Sequence, residues 1–432
     1  MALAAALTVA MPAVADDDDS PDSSSPSSSA DPGGPSGGSG GEGGRGGITL
    51  GPNPGSGDFL RDVRSVIGLI TGRPPPAPPP VPAPSNQARA EVTAAGLSQQ
   101  QRAAALAAGF SVLAERDSAL AGGRVVRFRA PVGVGEADAL ARLRAIAPGA
   151  RVTPNHLYRP SAAPCPPAGC AHFAQVGWPT APRCGSGLRI GMVDTRVDAA
   201  HPALAGASIE RLAARGPGRR ASSAAHGTAI AVLLVGRGAG VGRGLLPGAR
   251  LVAADPFHAG ADGDAADVYD LVTAFDRLAA ARVGVVNLSL AGPANEILDA
   301  VGAQAARRGL LFAAAAGNAG PRAAPLYPAA YPWAVAVTAV DAKGEVYPQA
   351  VRGRHIAFAA PGVGLAVAGA RGPRSGTSYA TPFVTAALAL ARGRDPDGAA
   401  SLSRLAAAAR DLGPPGRDAT YGWGLVQPVS AC

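Results

Sequence analysis

Lysine is almost absent from this chain of 432 residues: Lys343 is the only one, and every other basic residue among the 39 is arginine. A formal charge of +8 and a pI of about 9.8 suggest an anionic partner. The arginines are scattered, however, with no long basic run, and aromatics are only 4% of the chain, so no basic stripe with interleaved rings is present. We therefore expect no nucleic-acid partner. With Ala, Gly and Pro abundant as well, the arginine excess reads as a base-composition bias. Cysteine is limited to four residues, and at this length with 47% hydrophobic content the chain is no small stapled scaffold. It can bury a large core and hold two or three domains. Its apolar opening, Ala2 to Val14, is too short for a transmembrane helix, and no stable membrane span is expected.

What the chain does have is chemistry placed at the ends of apolar runs. Arg374-Ser375-Gly376-Thr377-Ser378-Tyr379-Ala380-Thr381-Pro382 crowds small residues before the run Phe383 to Leu390. This pattern predicts a helix with the Ser378 hydroxyl at its N-terminus, where free N–H groups and the positive dipole end favour a developing oxyanion. Alone, Gly-Thr-Ser reads as a helix cap, since Ser and Thr are favoured caps anywhere. Two earlier stretches change that. Leu188 to Val193 is an apolar run of buried-strand length that ends in the carboxylate of Asp194, and His226 starts the apolar helix His226 to Val235. A serine nucleophile needs a base, and the base needs a carboxylate to hold its tautomer and stabilise the imidazolium.

The chain resembles the subtilisin-like serine peptidases, the subtilase family, whose triad follows the order Asp, His, Ser. The matching pieces are Val193-Asp194-Thr195 with a second acid at Asp198, His226-Gly227-Thr228, and Gly376-Thr377-Ser378-Tyr379-Ala380-Thr381-Pro382. A fourth, Ala315-Ala316-Gly317-Asn318-Ala319-Gly320, is similar to the family's oxyanion-hole segment. The likeness covers roughly Ala171 to Val429. It implies Asp194, His226 and Ser378 as catalytic residues and Asn318 with the Ser378 N–H as the oxyanion hole. Val286-Asn287-Leu288-Ser289-Leu290-Ala291-Gly292 resembles the strand along which subtilases pair an extended substrate, with Ser289, Leu290, Ala291 and Gly292 beside the pocket.

In chain order, residues 1–15 read as a signal peptide, closed by Ala13-Val14-Ala15 but lacking a basic n-region; a frayed hydrophobic terminus is the alternative. Residues 16–85 are a leader and linker of Asp, Ser, Pro and Gly with too little apolar surface to order. Within it, Phe59 to Ile70 could form one short amphipathic helix, and Pro74 to Pro84 a stiff extended spacer. Over 86–160 the pattern predicts a helix at Gln99 to Ala108, strands at Phe110 to Glu115 and Arg124 to Arg129, a helix at Glu136 to Ile146, and an extended segment from Ala150 to Tyr158. The resemblance makes this a ferredoxin-like α+β propeptide, folding chaperone and inhibitor, whose tail up to Pro160 lies in the cleft; a plain accessory domain is the alternative. Residues 161–186 form a connector with Cys165, Cys170 and Cys184. With Cys432 they suggest two disulfides, three connectivities being open; we prefer Cys165 with Cys170 and Cys184 with Cys432. No histidine is spaced for zinc.

The resemblance makes residues 187–432 the peptidase domain. Strands are expected at Leu188 to Val193, Arg250 to Ala254, Gly284 to Leu290, Gly309 to Ala315 and Ala334 to Val340. Helices are expected at His226 to Val235, Ala265 to Ala281, Glu296 to Arg308, Ser378 to Ala391 and Ala399 to Asp411. Such alternation gives an α/β fold with a doubly wound, mainly parallel sheet, covered on both faces, with the site at the strands' carboxyl ends. Three departures bear on specificity: Arg196 and Ala291 stand where the family has glycine, and Ala229 replaces a second histidine. Asp198 and His201 read as loop hydrogen-bonding groups, Ser375 precedes the glycine and lacks the seat at the helix start, and Asp255, His258 and His355, with no partner motif, read as structural or surface residues. Asp262, Asp264 and Asp267 do not match an EF-hand, and with Asp267 expected inside a helix no calcium site is assignable, though family members often bind calcium. No cofactor is implied. The expectation is a monomeric, secreted or periplasmic serine endopeptidase acting on proteins or peptides and made as a precursor inhibited by its own propeptide. A catalytically silent peptide-binding module of the same fold is the competing class, and an ester hydrolase a third.

Overall fold

The computed structural model describes residues 85–160, 163–164, 172–179, 181–368, 372–394, 397–429 and Cys432. The expected signal peptide over 1–15, the leader up to residue 84, and Cys165 with Cys170 lie outside the described residues. Cys184 is joined to Cys432, the pairing preferred from the sequence.

The first body comprises β1 (Gln87–Ala95), α1 (Gln99–Ala107), β2 (Ser111–Ser118), β3 (Gly123–Arg129), α2 (Glu136–Ile146) and β4 (Arg151–Pro160). Ser98 starts α1 with a capping box: its hydroxyl accepts from Gln101 N while the Gln101 side chain accepts from Ser98 N. Glu136 and Asp138 in the first turn of α2 and Arg144 in the last complement its dipole. The antiparallel sheet runs β2-β3-β1-β4 over a core of Val92, Phe110, Val126, Phe128, Leu143 and Val152. The expected order of elements is present, with β1 added in front. Its sequence, QARAEVTAA, has little strand preference. It is extended because β3 and β4 pair it from both sides.

The chain then passes through β5 (Ala163–Pro164) and α3 (His172–Gln175) into alternating strands and helices. These are β6 (Arg189–Val193), β7 (Ser208–Ala213), α4 (Ala225–Val235), β8 (Arg250–Asp255), β9 (His258–Gly260), β10 (Gly263–Asp267) and α5 (Val268–Ala280). There follow β11 (Val285–Leu288), β12 (Leu290–Ala291), α6 (Glu296–Arg307), β13 (Leu311–Ala315), β14 (Ala334–Val340), β15 (Ile356–Pro361), β16 (Arg374–Ser375), α7 (Thr377–Arg394) and α8 (Gly398–Ala408). Seven of the strands form one sheet, β15-β14-β13-β11-β6-β8-β7, in which every pairing is parallel. Successive residues go to opposite cores, as a pleat buried on both faces requires. Ile190 and Met192 of β6 and Leu251 and Ala253 of β8 join α4 and α7 on one face. Val193, Val252 and Ala254 join α5 and α6 on the other. Gly227 to Val235 of α4 are all buried, which is why that helix has no polar stripe.

Two of the boundaries that differ from expectation bear on the site. The helix expected from Ala265 begins at Val268, and residues 265–267 belong to β10, where Ala266 and Asp267 pair with Tyr158 and Leu157 of β4. Asp267 is therefore not inside the helix but its N-cap, accepting from Asp270 N at 2.9 Å. The strand expected over Gly284 to Leu290 is interrupted at Ser289, which separates β11 from β12.

Candidate active site

Asp194 follows the last residue of β6, and His226 lies in the first turn of α4. His226 Nδ1 stands 2.6 Å from Asp194 Oδ1, which also accepts from Thr195 N at 2.7 Å. Two local contacts fix this geometry. Thr195 Oγ1 accepts from Gly227 N at 2.9 Å, and a Cβ built on Gly227 would lie 2.1 Å from the Thr195 carbonyl oxygen. The strand end and helix start therefore approach as closely as glycine allows. An ionised carboxylate can only accept, so Nδ1 carries the proton and Nε2 is left as the basic nitrogen. His226 Nε2 is buried with no hydrogen-bond partner among the described residues.

Ser378 is the second residue of α7 and fully buried. The neighbouring Tyr379 ring, its hydroxyl pushed up to about 12 by burial, sits 5.7 Å from the His226 ring and brings the start of α7 against the start of α4. Ser378 Oγ donates to Ser289 O at 3.2 Å, and Ser289 Oγ donates to Ser378 O at 2.9 Å. Asn318 lies just beyond β13. Its Oδ1 accepts from both Thr377 N and Thr377 Oγ1 at 3.1 Å, while Thr377 Oγ1 accepts from Gly317 N at 3.0 Å. With Oδ1 committed, the group left to act is the Asn318 Nδ2 donor, buried with no partner among the described residues.

Of the four residues expected to bind substrate, Leu290, Ala291 and Gly292 line a slot occupied by β4, while Ser289 is bonded to Ser378 instead. Leu290 pairs with Pro160 and Ala291 with Arg159, while β10 pairs with Leu157 and Tyr158. Tyr158 is completely buried, its hydroxyl donates to Pro293 O at 2.9 Å, and a Cβ on Gly292 would stand 2.5 Å from its ring. Beyond the slot, β5 pairs with β16, which ends three residues before Ser378.

Charges are buried where the first body meets this slot. Arg127 donates to Asp267 at 3.0 Å, and Arg219 pairs with the same carboxylate. Burial pushes the Asp267 carboxyl up, but Arg219 and Arg127 together hold it below its ordinary value. Asp270 is pushed up to about 7 by burial and by the charge of Asp267, and His258 down to about 4 by burial and Arg219.

Five of the remaining candidates have structural partners. Asp198 N donates to Thr228 Oγ1, His201 caps a short 3-10 turn through Ala203 N, and Ser375 Oγ accepts from Gly364 N. Asp255 is paired with Arg215 at 2.8 Å, and Asp264 accepts from Ser223 N. Arg196 is exposed at the mouth of a pocket of about 280 Å³ lined also by Thr195, Arg211 and Asp255. Among the described residues no group of three or more His, Cys, Asp or Glu could hold a metal ion, and no helix is long and apolar enough to cross a membrane. Thr195, Thr377 and Tyr158 were not singled out in the sequence. The first two stood in the quoted motifs without a role of their own.

Residues 185–424 match the family model described as Subtilase family. Minor extracellular protease Epr of Bacillus subtilis is 34% identical over 212 residues, which are 47% of this chain and 32% of that protein. This chain thus spans about a third of Epr. A subtilisin of Bacillus pumilus is 30% identical over 260 residues, 57% of this chain and 91% of the relative. In structure the chain is similar to fervidolysin from Fervidobacterium pennivorans, with a TM-score of 0.64 at 19% identity, covering 80% of this chain and 61% of that one. At that identity the likeness speaks for the fold alone.

Proposed function

The chain belongs to the subtilase family, and from that premise we propose that it is a serine endopeptidase with Asp194, His226 and Ser378 as its triad. The observation that carries the reading is the 2.6 Å contact of Asp194 with His226 Nδ1, which leaves Nε2 basic beside the helix that starts at Thr377 and Ser378. In the proposed reaction Ser378 Oγ turns from the Ser289 carbonyl toward His226 Nε2, gives it its proton and bonds to the peptide carbonyl carbon. Asp194 holds the imidazolium, and the carbonyl oxygen, now an oxyanion, accepts from the Ser378 N–H at the helix N-terminus and from Asn318 Nδ2. His226 then protonates the leaving amine, the C–N bond breaks, and water activated by the same histidine hydrolyses the acyl-enzyme.

Substrate lies where β4 lies now, paired backbone to backbone with β12 and β10, so many sequences fit and side-chain pockets add preference. The 86–160 body is its own inhibitor, with β4 in the slot. We place the maturation cut between Pro160 and Ala163. Support comes from the pairing on both sides: β12 begins one residue after Ser289, which accepts the Ser378 hydroxyl, and β16 ends three residues before Ser378. Action outside the cytoplasm is supported by the apolar start of the chain and by its likeness to a protease named extracellular.

The test is to incubate the purified full-length chain beside Ser378→Ala, then measure intact mass and digestion of an unfolded protein such as casein. We expect the wild type to shed a piece ending between Pro160 and Ala163 and to digest casein, and Ser378→Ala to do neither. If both chains stay intact and inert, and nicked wild type is inert too, the molecule is instead a silent peptide-binding module.

A further inference from the structure

Below Ser378 a string of buried polar side chains crosses the core without touching the slot. Thr385 Oγ1 donates to Asn287 Oδ1 at 3.0 Å, Asn287 Nδ2 donates to Ser289 Oγ at 2.8 Å, and Ser289 Oγ donates to Ser378 O at 2.9 Å. All four residues are at most 1% exposed. The direction of the string is forced. Thr385 can serve the amide oxygen only as a donor, so Nδ2 points at Ser289, and the Ser289 hydroxyl, its oxygen taken, sends its hydrogen to the Ser378 carbonyl.

That carbonyl needs an outside donor for a reason written in the sequence. In an α-helix the oxygen of residue 378 accepts from the N–H of residue 382. Residue 382 is proline, which lies inside α7, has no N–H and crowds that carbonyl. A buried carbonyl without a partner is costly, and Ser289 Oγ supplies the missing bond. The geometry points to Asn287 and Thr385 as positioning residues: acting through Ser289, they hold the peptide of Ser378 tilted toward β12, and so set where its hydroxyl and N–H point. This rests on Ser378 being the nucleophile, and it adds two residues that never meet substrate. A polar Asn in the middle of β11 and a Thr on the buried face of α7 otherwise have no reason to displace the aliphatic residues around them.

The experiment measures kcat, KM and thermal stability on a peptide substrate for the processed wild type and for Thr385→Val, Thr385→Ser, Ser289→Ala, Pro382→Ala and the Ser289→Ala/Pro382→Ala pair. Thr385→Val keeps the shape and removes the donor; we expect kcat to fall roughly tenfold with KM unchanged. Thr385→Ser keeps the hydroxyl and loses a methyl, so kcat should return even though the melting temperature does not. Pro382→Ala restores an N–H to the Ser378 carbonyl, so Ser289→Ala should cost several-fold less in that background than in the wild type, a coupling read from the double-mutant cycle even if Thr385→Val fails to fold. The proposal is overturned if Thr385→Val turns over like the wild type, if kcat of the two Thr385 variants follows stability rather than the hydroxyl, or if Ser289→Ala costs the same in both backgrounds. A wild type that does not turn over at all would instead sink the peptidase reading.

Discussion

If the 86–160 body inhibits the enzyme as proposed, replacing Tyr158 by alanine should release β4 from the slot, and the structure sets the size of the effect. The side chain is completely buried, so its removal exposes or empties most of the roughly 150–250 Å² that a buried aromatic covers. At about 25 cal/mol per Å², and allowing for the methyl that remains, the loss is about 3–5 kcal/mol, in line with aromatic-to-alanine changes in cores. That is roughly two to three and a half orders of magnitude in an inhibition constant. Tyr158→Phe removes only the bond to Pro293 O, about 1 kcal/mol or roughly fivefold. The assay is titration of processed enzyme with the isolated 86–160 segment in its three forms. Gly292→Ala in the enzyme approaches the same contact from the other side, since its Cβ would sit 2.5 Å from the ring. It should weaken the wild-type segment strongly and the Tyr158→Ala segment little. Equal inhibition by wild-type and Tyr158→Ala segments would refute the idea that the segment binds through this seat.

Asn318→Ala should lower kcat with little change in KM, by the roughly 2.7–4 kcal/mol that loss of the oxyanion donor costs in subtilisin, a figure carried over from a relative rather than worked from this chain; an unchanged kcat would remove Asn318 from the reaction. Stability should fall as pH drops from 6.5 toward 4. Buried His172, wedged against Phe173 and Phe383, is pushed down to about 4, so the unfolded chain takes up a proton in that window that the folded one refuses. The histidine contributes at most about 3 kcal/mol of this slope, and His172→Phe should flatten the acid limb of a melting-temperature profile by that share. Cys432→Ser should lower stability by about 2–4 kcal/mol, and reductant should then lower the melting temperature of the wild type by more than that of the variant.

Those residues were legible in the sequence whose chemistry is local. Asp194, His226, Ser378 and Asn318 each sit in a run of a few residues where an apolar element ends and glycine or a hydroxyl adjoins, and the element types around them followed from periodicity. What was not legible depends on partners far along the chain. β1 is extended because two strands flank it, and the Ala-rich β15 because β14 pairs it on one side. Residues 265–267 look helical until β9 pairs with Ala265 and β4 with Ala266 and Asp267. The Thr385–Asn287 contact joins positions 98 apart, and no spacing rule connects them.

The slot explains why a cut on the proposed bond need not free the enzyme. β10 and β12 are strand edges, and an extended segment between them satisfies their backbone groups whether it is substrate or β4. Backbone pairing therefore cannot separate inhibitor from substrate. The difference must lie in what β4 is attached to. Its first half is pinned in the β2-β3-β1-β4 sheet, and that body is tied to the peptidase domain by Arg127 on Asp267, by Arg116 on Asp276 at 2.8 Å, by Arg308 on the Ala119 carbonyl, and by the cap residue Asn295 on Thr153. All of these anchors lie outside the 160–163 stretch and are untouched by cleavage there. Asp267 is shared by Arg127 and Arg219, so removing it leaves two largely buried arginines without their common carboxylate, which costs more than losing an exposed pair would. On the proposed reading, hydrolysis only makes dissociation possible, and the rate at which the 86–160 body leaves is set by these distant contacts.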